Sequence, residues 1–122
     1  MNKLAIITGS SRGIGKSTVQ LFLSNGYRVI GLSRTDDTSI SKLPNYTFYK
    51  IDLSQNDEIN TFWESGVFET TKGVDEVVLI NNAAQIGPIS SSEKISQADI
   101  LKTYQTNVFA VQNNCNHFIN LF

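Results

Sequence analysis

The sequence contains little cysteine and histidine, no long hydrophobic run and no surplus of either charge. A single cysteine, Cys115, cannot form an internal disulfide, and with the single histidine, His117, it cannot supply a Cys/His zinc site. No apolar run exceeds four residues, so neither a membrane-spanning helix nor a secretory signal is expected. Ten Lys and Arg against eleven Asp and Glu give a net charge of −1, which offers no basic surplus for nucleic acid. We therefore expect a cytoplasmic protein with no metal, membrane or nucleic-acid partner.

The 122 residues have the composition of one globular domain, with 40% hydrophobic and 17% charged residues. Strand-like and helix-like segments alternate along the chain, which is typical of βαβ units and a parallel sheet. Strands are predicted at 3–8, 27–32, 46–51 and 76–80. Long helices are predicted at 13–24, 56–69 and 97–122, and segment 35–44 holds at most one or two helical turns. The continuous apolar run of the first strand predicts a sheet covered on both faces.

The last predicted helix carries an apolar stripe whose members are three or four residues apart, which predicts its core-facing side. The stripe comprises Ile100, Leu101, Tyr104, Val108, Val111, Cys115, Phe118, Ile119 and Phe122. Asn107 lies on the same side, where a buried amide would need hydrogen-bond partners. No glycine, proline or capping residue ends the stripe, so the chain is expected to stop within a helix.

A glycine-rich loop, residues 8–15, lies between the first predicted strand and the first predicted helix. Backbone N–H groups in such a loop can bind a diphosphate, and the helix N-terminus adds a partial positive charge. Gly15-Lys16-Ser17 also matches the end of a nucleotide-triphosphatase P-loop, which makes that class a remote alternative. The P-loop, however, requires glycine at position 10, where this chain has Ser10.

Four motifs together resemble the short-chain dehydrogenase/reductase family. The loop at 8–15 matches the family's TGxxxGxG pattern, and Asp52-Leu53 is similar to its adenine-contacting pair. Asn81-Asn82-Ala83-Ala84 resembles its NNAG motif with alanine in the last place, and Asn107 falls where the family has a helix asparagine. Gly87-Pro88 looks most like the sepiapterin reductase and benzil reductase branch.

The resemblance implies a Rossmann-like α/β fold, a doubly wound parallel sheet of strand order 3-2-1-4, truncated after the fourth strand and its following helix. Residues 1–122 would then form a single NADP-binding half domain. The edge of the fourth strand would be open, so a homo-oligomer or a partner that covers this edge is expected.

The resemblance also assigns residues to the cofactor. The cofactor-binding candidates are Gly9, Ser11, Arg12, Gly13, Ile14, Gly15, Arg34, Asp52, Leu53, Asn82, Ala83 and Ala84. Arg34 follows the second predicted strand, where an acidic residue would bind a ribose 2′-hydroxyl and an arginine suits a 2′-phosphate. Arg12 adds a second guanidinium. We therefore predict NADP(H) rather than NAD(H).

The activity implied is that of an NADPH-dependent carbonyl reductase, which transfers hydride between the nicotinamide and a small carbonyl or alcohol substrate. Asn107 is the catalytic candidate, and the family's serine and Tyr-x-x-x-Lys pair are absent. Tyr46 and Lys50 have that spacing, but they lie on a predicted strand ahead of the asparagine motif. The isolated chain is therefore expected to show no turnover. The alternative is a catalytically inactive nucleotide-binding or interaction module.

Overall fold

Four parallel strands form one sheet in the computed structural model, which describes residues 1–122. They are β1 (Lys3–Thr8), β2 (Arg28–Ser33), β3 (Tyr46–Lys50) and β4 (Glu76–Ile80). Their order across the sheet is β3-β2-β1-β4. The predicted Rossmann-like α/β class and the predicted strand order are both confirmed. The central place of β1 explains its apolar run, because Leu4 to Ile7 are covered on both faces and 0–1% exposed.

The two faces of the sheet bury separate hydrophobic clusters. Helix α1 (Gly13–Ser24) covers one face, where Val19 packs with Ala5, Ile7, Val29, Ile40 and Tyr46. Helix α2 (Asn56–Glu64) and the C-terminal helix cover the other face, where Ile59, Phe62 and Trp63 pack with apolar residues of β1 and β2. None of the helices is both long enough and apolar enough to cross a membrane.

The C-terminal helix is interrupted by a π-helical segment. Helix α3 (Gln97–Tyr104) begins at Ser96, whose Oγ accepts a hydrogen bond from the Asp99 backbone N–H over 3.1 Å. The π segment (Gln105–Phe109) follows directly and runs into α4 (Ala110–Leu121). The sequence predicted one regular helix here, and a π segment holds more residues per turn than an α-helix.

The apolar stripe predicted for this helix faces the core only in part. Phe118 packs against the core cluster and Phe122 against Phe68, whereas Leu101 and Ile119 are 72% and 73% exposed. The fully buried residues of the helix are Thr106, Ala110 and Asn114, each four positions from the last. The π segment changes the phase of the helix and so shifts its most buried line away from the predicted stripe.

Some element boundaries also differ from the prediction. Helix α2 ends at Glu64 rather than at residue 69, because Gly66 adopts a left-handed φ of +81° that breaks the helix. A 3-10 turn (Glu69–Thr71) follows it. Segment 35–44 forms turns without a helix, and Ile40 alone of that segment is fully buried. A further 3-10 turn (Ser92–Lys94) precedes α3.

A chain of buried side-chain hydrogen bonds joins α2, α4 and the end of β4. The indole Nε1 of Trp63 donates to Asn114 Oδ1 over 2.8 Å, and Asn114 Nδ2 donates to Asn81 Oδ1 over 3.3 Å. Asn114 is 1% exposed and Trp63 is 3% exposed. Since water cannot replace these partners, the loss of one leaves an unsatisfied polar group in the core.

Asn114→Ala is expected to lower the free energy of unfolding by about 2 kcal/mol, because it leaves the buried Trp63 N–H without an acceptor. Urea unfolding followed by tryptophan fluorescence measures this loss. The matched control is Asn116→Ala, an exposed asparagine on the same helix, which should change stability by less than about 0.5 kcal/mol. Equal effects of the two substitutions would contradict the role given to Asn114.

Candidate nucleotide-binding site

The carboxyl ends of all four strands open into one cleft of about 870 Å³. Parallel strands end at the same edge of the sheet, and ligands of such folds bind where the strand order reverses, here between β1 and β4. Eleven of the twelve cofactor candidates line this cleft: Gly9, Ser11, Arg12, Gly13, Ile14, Arg34, Asp52, Leu53, Asn82, Ala83 and Ala84. The twelfth, Gly15, is buried behind the loop.

The glycine loop is shaped by close packing on one side and open space on the other. A Cβ on Gly15 would overlap the carbonyl oxygen of Gly9 and lie 2.6 Å from Asn82 Nδ2. Gly13 has a φ of +57°, and a Cβ built on it would meet no atom within 4 Å. The loop can therefore bring its backbone close to a ligand at Gly13, as binding of a diphosphate requires.

The N-terminus of helix α1 is a second feature of the cleft that suits an anion. Its N-cap residue, Arg12, makes no side-chain capping bond, so the first-turn N–H groups of the helix lack a side-chain acceptor. Gly13 and Ile14, the first residues of that helix, line the cleft. A helix N-terminus with open N–H groups is a suitable site for a phosphate.

Asn82 ties the loop to the end of β4. Its Nδ2 donates to the carbonyl oxygens of Thr8 and Gly9, each over 3.2 Å. Thr8 Oγ1 in turn accepts the backbone N–H groups of Asn82 and Ala83, each over 3.0 Å. The glycine loop and the segment after β4, which form two walls of the cleft, are therefore held at a fixed separation.

Two serine hydroxyls and two arginines belong to the cleft lining. Ser11 Oγ and Ser33 Oγ lie 2.9 Å apart, and the residues that directly follow them, Arg12 and Arg34, line the cleft and are exposed. Hydroxyl and guanidinium groups both suit a phosphate group.

The contacts of Lys16 do not support the P-loop alternative. Lys16 Nζ pairs with Asp37 Oδ2 over 3.0 Å and does not line the cleft. Hydrogen bonds from Ser39, together with Lys16, lower the pKa of Asp37 to about 2, so this carboxylate is ionised at neutral pH. The lysine that a P-loop would direct at a phosphate is engaged elsewhere.

Asp52 presents an ionised carboxylate to the cleft. Its Oδ1 accepts hydrogen bonds from Ser54 N over 2.9 Å and Ser54 Oγ over 2.7 Å. Burial alone would raise the pKa of Asp52, but these hydrogen bonds and the charges of Lys102 and Arg34 hold it below its ordinary value. The carboxylate can therefore accept a hydrogen bond from a ligand amine.

Asn107 lies beside the cleft rather than in its lining. Its Oδ1 accepts the backbone N–H of Gln85 over 2.7 Å, and its Nδ2 donates to the Gln85 carbonyl oxygen over 2.6 Å. These two bonds supply the partners that a half-buried amide needs on this helix. They also fix the segment after Ala84 against the π segment.

Tyr46 and Lys50 are not part of the cleft lining. Tyr46 is 8% exposed and donates its hydroxyl hydrogen to Ser10 Oγ over 3.2 Å, whereas Lys50 is exposed at the edge of the sheet. The spacing of this pair therefore does not create a catalytic site.

Sequence reasoning did not single out several cleft residues. Ser33, Thr35, Gln85 and Thr106 also line it. Ser33 and Thr35 flank Arg34, so their place after β2 could have indicated them. Nothing in the sequence pattern marks Thr106, because its burial depends on the phase of the π segment.

A second groove, of about 430 Å³, lies between β3 and α2 and shares only Ile51 with the cleft. Its charged residues are Lys50, Asp57 and Glu58, and it contains no residue of the glycine loop. With two carboxylates against one lysine, this groove suits phosphate groups less well than the cleft does.

Comparison with known proteins agrees with this geometry. The family model of the short chain dehydrogenases matches residues 3–122. An NADPH-dependent pterin aldehyde reductase of Arabidopsis thaliana is 28% identical over 98% of this chain and 50% of its own length. A benzil reductase ((S)-benzoin forming) of Bacillus subtilis is 34% identical over 88% of this chain and 44% of its own length.

Among solved structures, a short-chain dehydrogenase/reductase from Burkholderia vietnamiensis superposes with a TM-score of 0.91 at 24% identity, covering 99% of this chain and 59% of that one. This likeness shows the fold. The chain belongs to the short-chain dehydrogenase family, whose members are oxidoreductases that use nicotinamide cofactors. The chain spans about half the length of the curated relatives it matches.

Gly15→Ala tests the packing of the loop, because two effects on stability oppose each other. Alanine is the better helix former by about 1 kcal/mol, but its Cβ would overlap the Gly9 carbonyl, and overpacking costs about 1–3 kcal/mol. We expect a net loss of unfolding free energy by urea titration. The control, Gln20→Ala on the exposed side of the same helix, should be neutral or stabilising. A more stable Gly15→Ala protein would contradict this packing.

Proposed function

We propose that the cleft binds NADP(H), and that the chain is the cofactor-binding part of an NADPH-dependent carbonyl reductase. The observation that carries this proposal is that Arg12 and Arg34 line the same cleft as the glycine loop and directly follow Ser11 and Ser33, whose hydroxyls are in contact. A 2′-phosphate is the group of NADP(H) that such a cluster suits and that NAD(H) lacks.

Each part of the cofactor has a matching part of the cleft. The open backbone at Gly13 and the N-terminus of α1 would hold the diphosphate. The Asp52 carboxylate, next to Leu53, would accept the adenine amine and give the ring an apolar contact. Asn82, Ala83 and Ala84 would lie along the nicotinamide ribose. The residues present therefore fit the group.

When bound, the cofactor supplies a hydride for a carbonyl carbon. The chain's own contribution is to bind and orient: Asn107 holds the Gln85 backbone, and Asn82 holds the loop. The carbonyl substrate of the whole protein is inferred from relatives that reduce a pterin aldehyde and benzil, as their names state. Proton delivery would need the family's serine and Tyr-x-x-x-Lys pair, a role that Tyr46 and Lys50 do not fit because neither residue lines the cleft.

A second candidate function is a nucleotide-binding or interaction module without turnover. One observation favours this function for the isolated chain. The ionisable residues that line the cleft are Arg12, Arg34 and Asp52. Neither an arginine nor an ionised aspartate can protonate a developing alkoxide at neutral pH. Binding without reduction is the behaviour that these residues support.

Arg34→Asp should weaken NADPH binding by about 10- to 150-fold, since a charge-assisted hydrogen bond contributes about 1.5–3 kcal/mol, and should leave NADH binding nearly unchanged. Fluorescence titration with both cofactors measures the two affinities. The control is Arg28→Asp, because Arg28 lies at the other end of β2 from Arg34, where its Nη2 donates to Asn2 Oδ1. An Arg34→Asp protein that keeps the full preference for NADPH would contradict the assignment.

We also propose that the chain associates through the C-terminal helix and β4. Large apolar side chains of the helix are exposed, Leu101 and Ile119 by 72% and 73%, and β4 pairs with β1 alone. An open strand edge and an apolar helix face both favour association, the latter by about 25 cal/mol per Å² of buried apolar area. A second copy or another partner would cover them.

Light scattering at tens of micromolar should therefore show dimers or larger species, and Leu101→Lys with Ile119→Lys should shift them toward the monomer. Leu21→Lys is the matched control, since Leu21 is an apolar residue that is 61% exposed on α1, away from this surface. A sharp wild-type monomer with a cooperative melt would refute the proposal.

A further inference from the structure

The hydroxyl of Tyr46 is buried. The Tyr-x-x-x-Lys spacing of Tyr46 and Lys50 does not explain this burial, because the pair forms no catalytic site. The residue begins β3, and its ring packs in the cluster with Ala5, Ile7 and Val29. Its hydroxyl donates a hydrogen bond to Ser10 Oγ over 3.2 Å, in the buried interior. This hydrogen bond connects the edge strand β3 to the glycine loop that follows the central strand β1.

Gly31, in the strand between them, provides the space for this contact. A Cβ on Gly31 would lie 2.6 Å from Ser10 Oγ and would overlap the Tyr46 hydroxyl. Glycine within a strand weakens that strand, and it commonly marks a close approach of other groups. The missing side chain in β2 therefore lets the Tyr46 hydroxyl and the Ser10 hydroxyl meet.

Ser10 is the buried member of the glycine loop. It is 0% exposed, whereas its neighbours Gly9 and Ser11 line the cleft. Gly9 adopts a φ of +67°, so the chain turns sharply just before Ser10. Ser10 is therefore the buried anchor between the turn at Gly9 and the cleft-lining residues that follow.

We propose that Tyr46 is a positioning residue of the phosphate-binding loop, which it holds through the hydrogen bond to Ser10 across Gly31. This inference rests on the proposed function, because the loop is taken to bind the diphosphate of NADP(H). Tyr46 does not line the cleft; it acts through Ser10.

The protonation of Tyr46 agrees with a donor role. Burial raises the pKa of the phenol above 10.0, and the charges of Asp36 and Asp37 act in the same direction, while the hydrogen bond with Ser10 opposes them. The hydroxyl therefore keeps its proton, and the bond to Ser10 is present throughout the neutral range.

The test is Tyr46→Phe in the intact chain, with NADPH affinity measured by fluorescence titration. Affinity should fall by about three- to tenfold, the effect of one neutral hydrogen bond. Amide hydrogen exchange by NMR should accelerate at residues 9–13 and remain slow at residues 4–7 and 29–32. A merely structural role would accelerate exchange across the sheet, or lower stability with no change in affinity, and either result would overturn the inference.

Two further variants complete the test. Tyr49→Phe makes the same chemical change on the same strand, but its ring contacts Phe62 on the opposite face, so it should bind NADPH as the wild type does. Ser10→Ala should reproduce the loss seen in Tyr46→Phe, and the double variant should lose no more than either one. Additive losses would show that Tyr46 does not act through Ser10.

The outcomes separate this inference from the proposed function. If the wild type binds NADPH and Tyr46→Phe binds it equally well, the positioning role is wrong and the proposed function stands. If the wild type binds no NADPH, the proposed function fails, and the positioning role fails with it.

Discussion

The packing of Gly9, Gly15 and Asn82 is the contact on which the cleft depends. No side chain larger than hydrogen fits at Gly15, because the Gly9 carbonyl and the Asn82 amide occupy that space. The same amide donates to the carbonyl oxygens of Thr8 and Gly9, and so joins the ends of β1 and β4. This contact sets the glycine loop and the segment after β4 at a fixed separation at the point where the strand order reverses. The hydrogen bonds of Asn107 to Gln85 and of Tyr46 to Ser10 then support the two walls from outside the cleft.

The charged residues that line the cleft favour ligand binding over proton transfer. Arg12 and Arg34 line the cleft, and the carboxylate of Asp52 is kept ionised by hydrogen bonds and nearby positive charge against the effect of its burial. Such groups recognise a phosphate and an amine. The structure thus accounts for a cleft that suits a phosphate group. The binding of NADP(H) there is a proposal, and the reduction of a carbonyl is an activity proposed for the whole protein.

The strands and the position of the cleft follow from local patterns in the sequence, the family resemblance supplied the sheet order, and eleven of the twelve candidate residues line the cleft. Apolar runs mark the strands, the carboxyl ends of parallel strands converge, and the candidate residues directly follow those ends. The C-terminal helix was harder to predict, since the π segment at Gln105–Phe109 leaves part of the apolar stripe exposed and buries Thr106 and Asn114. The Tyr46 to Ser10 hydrogen bond was also not foreseen. It joins residues 36 positions apart across a third strand, and only the absence of a side chain at Gly31 makes it possible.

The most direct test of the account is to map the NADPH site on the chain by NMR. Backbone amide shifts should change on titration at residues 9–15, 33–35, 52–53 and 82–84, which belong to four separate segments joined only in the folded cleft. The groove between β3 and α2, around Asp57 and Thr61, should show no change. Shifts confined to that groove, or no shift at any residue, would contradict the assignment of the cleft as the cofactor site.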